Sequence, residues 1–279
     1  METKTISVTI SDIHSDGPAL SAACDLAMRE AAHLDVFCIG VDPVRYADMP
    51  SGSIMMMDGG HDEAATQSRA LAVWARSVIP IGLDRHAVQS VVISQLGLDL
   101  TVARLSRYSD LVVAAKPYGK GHSAWQVAVL DAALFGSKGA VLIVPDAGCD
   151  LSKPAGRVMI AWNESDEALA AIRKSLPMLR AARHVDVVQV DPPSHSSERS
   201  DPGGAVSLYL SRHGVKTEVS ILARNLPRVS DVLMRFAREQ GVEAIVMGGY
   251  GHSRLREALL GGTTRDMLEK LTIPVLMAH

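Results

Sequence analysis

The sequence predicts a doubly wound α/β protein made of two tandem five-stranded parallel-sheet domains. Short apolar runs of strand length alternate with helical stretches along the whole chain, the pattern of parallel βαβ units. The order of runs starts again near residue 157, so the second half repeats the first. A length of 279 residues, with 47% hydrophobic and only 4% aromatic residues, suits two modest cores packed from aliphatic side chains.

Ile6 to Ile10 reads as the first strand, and Ser11 to Pro18, with its Ser, Asp, Gly and Pro, as a turn. Ala19 to Ala32 is Ala-rich and helical. Val36 to Val41 is a second buried strand, closed by Asp42-Pro43. Arg45 to Gly60, rich in Met, Gly and Ser, reads as a long mobile loop. Then come a helix (Ala64 to Val78), a strand (Ala87 to Ile93), a helix (Asp99 to Arg107), a strand (Leu111 to Ala115), a helix (Ala124 to Phe135) and a fifth strand (Ala140 to Val144). Asp146 to Ala155 is polar and contains Gly148 and Pro154, which marks a linker between domains spanning 1–146 and 156–279.

The second half runs through a strand (Val158 to Trp162), a helix containing Pro177 (Asp166 to Ala182) and a strand (Val185 to Val190) that again ends in Asp-Pro. A loop from Pro192 to Gly204 leads to a helix (Ala205 to Arg212), a strand (Val215 to Ile221) and a helix (Val229 to Gln240). Asp110-Leu111-Val112-Val113-Ala114 matches Ala244-Ile245-Val246-Met247-Gly248, and Val141-Leu142 matches Val275-Leu276 at the same separation, so these segments align without a gap. His33-Leu34-Asp35-Val36 likewise mirrors His184-Val185-Asp186-Val187.

The chemistry gathers between Ala244 and Arg265. An apolar strand stops at Gly248-Gly249-Tyr250-Gly251, and Gly261-Gly262-Thr263-Thr264 opens a helical pattern carrying Met267, Leu268 and Leu271. Glycine allows positive φ and close approach of a ligand to the main chain. A helix start offers unpaired N–H groups at the positive end of its dipole. Strand end, glycine loop and helix start together suit an anion, most often phosphate. Arg254, Arg256 and Arg265 add cations, and His252 and Ser253 add polar groups. The bland alternative is that these glycines only punctuate turns. The spacing is Gly-x2-Gly-x9-Gly, which is neither the Walker A nor the Rossmann pattern.

With Gly248, Gly251 and Gly261 at those spacings, the chain resembles the universal stress protein family, whose motif is Gly-x2-Gly-x9-Gly followed by Ser or Thr. Here Gly262 follows, with Thr263 and Thr264 just beyond. The resemblance extends over nearly the whole chain as two tandem domains of the universal-stress, adenine-nucleotide α-hydrolase-like fold. It implies ATP or another adenine nucleotide, with or without magnesium, in the C-terminal domain. The contacts it implies are Asn163, Val190, Gly248, Gly251, His252, Ser253, Gly261, Gly262, Thr263 and Thr264. Asn163 stands where the family's ATP-binding members carry an acid after the first strand; the first half has Asp12 there. In the gapless alignment Ala114, Pro117, Val127 and Ala128 stand opposite Gly248, Gly251, Gly261 and Gly262, so the first half reads as a degenerate partner domain. In the family, domains pair through the fifth strand, here Ala140 to Val144 and Pro274 to Ala278, and tandem chains pair again into dimers.

The rest of the composition excludes function classes. A net charge of −3 gives no electrostatic footprint for nucleic acid. No run reaches the length of a membrane span, and the opening residues lack the basic stub and apolar segment of a signal peptide, which predicts a cytoplasmic protein. Cys24, Cys38 and Cys149 show no C-x-x-C, as suits a reduced compartment; the first two sit in apolar runs and the third in the linker. Asp12, His14 and Asp16 alternate as metal ligands can, but nothing else supports a metal, and a solvated turn is the plainer reading. Met55-Met56-Met57 suits a loop folded back on its own core. No nucleophile elbow or zinc-protease motif is present, so no dedicated enzyme is expected beyond slow ATP hydrolysis. The expectation is a stress-response sensor or regulator. The alternatives are a scaffold acting through protein partners without nucleotide, or a binder of some other small molecule.

Overall fold

The structure, a computed structural model, describes residues 3–48, 54–57, 60–119, 121–192, 201–250 and 262–279. The first half contains β1 (Thr5–Ile10), α1 (Ile13–Glu30), β2 (His33–Asp42), β3 (Arg45–Asp48), β4 (Ile54–Met57), α2 (His61–Val78), β5 (His86–Ser94), α3 (Leu98–Ser106), β6 (Leu111–Ala115), α4 (Ala124–Gly136) and β7 (Ala140–Val144). The second contains β8 (Arg157–Ala161), α5 (Asp166–Ala181), β9 (His184–Val190), α6 (Gly204–Arg212), β10 (Thr217–Leu222), α7 (Val229–Gln240), β11 (Ala244–Gly248), α8 (Thr263–Lys270) and β12 (Val275–Ala278).

The strands form one ten-stranded sheet in the order β10-β9-β8-β11-β12-β7-β6-β1-β2-β5. Every neighbouring pair is parallel except β7 and β12, which meet antiparallel at the centre. Each half therefore holds five parallel strands, and the predicted pairing through Ala140–Val144 and the last strand is the seam that joins them. At the seam Leu142 faces Leu276, its own counterpart in the repeat, with Ile143 against Val275 and Val141 against Met277. A pseudo-two-fold axis thus passes through the Leu142–Leu276 pair. α1, α2, α5 and α6 cover one face of the sheet, and α3, α4, α7 and α8 the other. The strands run apolar on both sides because both faces are covered.

Counting outward from the axis corrects the gapless alignment. Val141 pairs with Val112 and Val275 with Ile245, so Val112 corresponds to Ile245, not to Val246. The faces agree: Val112 and Ile245 both pack toward α4, α7 and α8, while Val113 and Val246 pack on the opposite side. Gly248 therefore stands opposite Ala115, not Ala114, and the second half carries one extra residue between β11 and β12. One step further out, Ser7 corresponds to Met159, which sets Asn163 opposite Ser11 and Glu164 opposite Asp12.

Two local expectations also change. The stretch read as a turn at 11–18 is mostly helix. Asp12 caps α1, its carboxylate accepting from the N–H groups of His14 (3.0 Å) and Ser15 (2.9 Å), and Pro18 lies inside the helix. The stretch read as a loop at 45–60 contains an antiparallel hairpin, Arg45 against Met57 through Asp48 against Ile54. Its Gly, Pro and Ser are concentrated at 50–53 and 59–60, which leaves two short runs free to pair.

The linker is held against α1. Arg29 Nη1 donates to the carbonyls of Leu151 (2.9 Å) and Lys153 (3.0 Å). Leu151 and Cys149 pack on the apolar core. Cys24 and Cys38 are buried and Cys149 is half-buried. Burial pushes the Cys24 thiol up to about 12 and those of Cys38 and Cys149 up to about 11. Raised values mean that the neutral thiols support the fold below the free-thiol range near 8.5 and lose that contribution as pH climbs through 11 to 12. The native protein should therefore take up iodoacetamide at neutral pH far more slowly than the unfolded chain; equal rates would contradict the burial.

Candidate functional site

In a doubly wound sheet, ligands bind where strand order reverses, at the carboxyl ends of the strands. The second half reverses between β8 and β11. Around this point the structure brings together most of the predicted residues that it describes. Asn163 follows β8, exposed, its Oδ1 accepting from the N–H of Ser165 (3.3 Å). Val190 ends the adjacent β9 half-buried. Gly248 ends β11, and a Cβ there would lie 2.6 Å from the backbone nitrogen of Ala168. This glycine therefore lets β11 pack against the first turn of α5, a packing role that precedes any ligand.

Gly262 is the N-cap of α8. It has extended backbone (φ −73°, ψ 156°) and no side chain of its own to satisfy the first N–H groups of the helix. Thr263 is half-buried beside it. The Thr264 hydroxyl is buried and accepts from the N–H of Tyr250 (3.1 Å), so it ties the strand-end loop to the helix start. Tyr250 carries a left-handed backbone (φ 58°), which turns the chain sharply after Gly249. Gly251, His252, Ser253 and Gly261, with Arg254 and Arg256, lie outside the described residues. Arg265 is directed elsewhere: its Nε donates to Glu269 (2.9 Å) and its guanidinium covers the Tyr118 ring at 5.4 Å. Asp266, buried in the first turn of α8, is paired with Arg228.

The equivalent point in the first half, between β1 and β6, is closed. Gln126 on α4 donates through Nε2 to Asp16 Oδ1 (2.8 Å), and its Oε1 accepts from the N–H of Ser123 (3.2 Å). The other Asp16 oxygen accepts from the N–H groups of Ser11 (2.6 Å) and Asp12 (2.9 Å) and from the Ser11 hydroxyl (3.0 Å). About 10 Å³ of free space remains between these groups, room for one water at most. α4 also begins at Ala124, so Val127 and Ala128, opposite Gly261 and Gly262 in sequence, lie within a continuous helix. Asp12, His14 and Asp16 do not converge: Asp12 is a helix cap and Asp16 is buried under Gln126.

Two residues near the second-half site were not singled out in the sequence. Trp162 Nε1 and Gln189 Oε1 are buried without a partner, one a donor and the other an acceptor, at the ends of β8 and β9. Gln189 otherwise donates to Glu164 Oε1 (2.9 Å). Both read as ordinary core positions in sequence; only their orphaned atoms mark them. The first half also reaches this region. Tyr118 hydrogen-bonds Tyr250, and Phe135 stacks on Tyr250 (5.4 Å) and edge-on to His279 (4.7 Å). Among the described residues, the group close enough to share a metal ion is His184, Asp186 and Glu218. Asp186 there is already held by Arg157 through two bonds of 2.7 and 2.8 Å, at the opposite edge of the sheet. No described helix is long and apolar enough to cross a membrane.

By fold, the chain is a tandem doubly wound α/β protein whose first-half switch point is closed. Residues 155–279 match the model of the universal stress protein family. A universal stress protein of Synechocystis sp. is 33% identical over 73 residues, 26% of this chain and 24% of the relative. One of Methanocaldococcus jannaschii is 38% identical over 45 residues, 16% of this chain and 28% of the relative. The matches thus span about a quarter of the length of each curated relative. Among solved structures, a universal stress protein from Archaeoglobus fulgidus DSM 4304 covers 98% of this chain and 95% of its own length, with a TM-score of 0.71 and 14% identity. A functionally unknown protein from Pseudomonas aeruginosa PAO1 covers 99% and 92%, with a TM-score of 0.57 and 17% identity. These likenesses show a shared fold across both halves. Residues 155–279, just under half of the chain, thus carry the match to the universal stress protein family.

Proposed function

We propose that this stress-response family member binds an adenine nucleotide (ATP, ADP or AMP) in its C-terminal half and acts as a cytoplasmic sensor or regulator. The supporting observation is the contrast between the two switch points. One is filled by the Gln126–Asp16 bridge, whereas at the other α8 is capped by Gly262, which has no side chain to meet the first N–H groups of the helix. Phosphates would sit against the N–H groups at Gly262 to Thr264, together with Gly251 to Ser253. Each charge-assisted bond there would contribute about 1.5–3 kcal/mol. The base would lie toward Val190 and Asn163. Asp266 is paired with Arg228 and offers no free carboxylate for magnesium, so any magnesium would be held chiefly by the phosphates.

Calorimetry with ATP, ADP and AMP on the wild type and Gly261→Val is the test. The wild type should bind at least one of them, and the valine, which copies Val127 of the closed half, should remove most of the affinity with the fold retained. Absence of binding at millimolar nucleotide would defeat this reading and leave the scaffold in its place. Equal binding by Gly261→Val would move the ligand elsewhere.

A further inference from the structure

On the opposite edge of the sheet, a cavity of about 630 Å³ lies between α1, α5 and the linker. It is bounded by the entries to the strands, with Thr3, Asp110, Glu243 and Pro274 at its lining, and so is separate from the switch points. Its size falls within the range of small-molecule sites. Leu26, Leu111, Leu142 and Leu276, all buried, give it an aliphatic floor astride the seam, and Met178 and Ala181 of α5 add an apolar wall.

The lining carries Arg29, Lys153, Lys174 and Arg183 against Glu30, Asp110, Asp150 and Glu243, and of these cations Lys153 and Arg183 are exposed. Asp110 is engaged by the N–H groups of Lys4 (2.8 Å) and Thr5 (2.9 Å), Glu243 by that of Gly156 (2.8 Å), and Glu30 by Arg29 (2.8 Å). Lys174 on α5 has no carboxylate partner among the described residues. Its ammonium reaches only the carbonyls of Lys138 and Gly139, the latter at 3.0 Å. Partial burial already holds that ammonium below the usual lysine range, so a carboxylate beside it would relieve an existing cost. An apolar chamber with one half-buried ammonium that no described carboxylate meets suits a ligand with a long apolar body and a single negative head.

We propose that this chamber binds an aliphatic monocarboxylate, its chain on the leucine floor and its carboxylate against Lys174. The arrangement needs both halves, because Leu26, Leu111 and Leu142 come from one and Leu276, Met178 and Lys174 from the other. It does not depend on nucleotide binding.

The test is titration of the intact chain with dodecanoate, below its micelle concentration, and with dodecylamine as the oppositely charged control. Dodecanoate should bind one per chain, and dodecylamine at least tenfold more weakly. Lys174→Met should weaken dodecanoate at least tenfold, and Met178→Trp, which fills the chamber, should abolish binding. If the tryptophan variant does not fold, prolonged alkylation of the wild type at neutral pH, where Lys174 keeps its charge, locates the site. Bound dodecanoate should then slow labelling of Cys149, which lines the chamber, but not that of Cys38. No binding of dodecanoate, equal binding of the amine, an unchanged Lys174→Met variant, or unprotected Cys149 would each overturn the proposal.

Discussion

Replacing Ile143 with aspartate is expected to cost about 4 kcal/mol and to split unfolding into two transitions. Ile143 is fully buried at the seam, where it faces Val275. Losing the isoleucine removes roughly 3 kcal/mol of burial, and the incoming carboxyl enters a site of aliphatic side chains with no donor for it. The damage falls on the first half, which should melt early. The second half keeps its own five parallel strands and should melt later. Such behaviour would support two domains, 1–146 and 156–279, each with its own cooperative core. Met277→Asp, at the symmetry-related position, should reverse the order by striking the second half. Urea unfolding followed by both tryptophan fluorescence and circular dichroism is the measurement. A single transition with a midpoint close to wild type would show that the seam contributes little and that the domain division is wrong.

Asp16→Ala should cost about 3 kcal/mol, a large effect for one polar side chain. The substitution leaves the N–H groups of Ser11 and Asp12, the Ser11 hydroxyl and the Gln126 amide without their acceptor. Each such donor left buried costs about 1–3 kcal/mol, and water entering the vacated space recovers part of the total. Gln126→Ala, which removes one bond to a carboxylate that keeps its others, should cost roughly 1 kcal/mol. Chemical denaturation of the two variants decides the matter. Equal and small losses would mean that solvent already reaches the first switch point and that its closure is not what distinguishes the halves.

Much of the architecture could be read from apolar runs, because a strand buried on both faces has little room for polar residues. β6 and β7 carry their predicted limits unchanged. Where reading failed, a local signal outweighed a distant one. Gly17 and Pro18 suggested a turn, but the cap at Asp12 starts α1 before them. The one-residue shift between β6 and β11 keeps the same apolar pattern, so only hydrogen-bond partners reveal it. The sequence reads Gly248 only as part of a glycine loop and could not show that the backbone of α5 requires a glycine there. Nor could it show that Gln126 and Asp16, far apart along the chain, would meet and close the first site. The cavity under the linker left no motif, since its floor is made of leucines that any core would use.

The seam has a consequence for how the two halves can change. When identical chains pair about a two-fold axis, every substitution appears on both sides at once. Here both strands belong to one polypeptide, and residues 146–155 keep them together at an effective concentration that dilution cannot lower. Each side can therefore accept its own substitutions without a mirrored change. The pairs flanking Leu142 and Leu276 already differ, isoleucine against valine on one side and valine against methionine on the other. A chain linked in this way can keep one half as a permanent structural partner while the other half changes on its own.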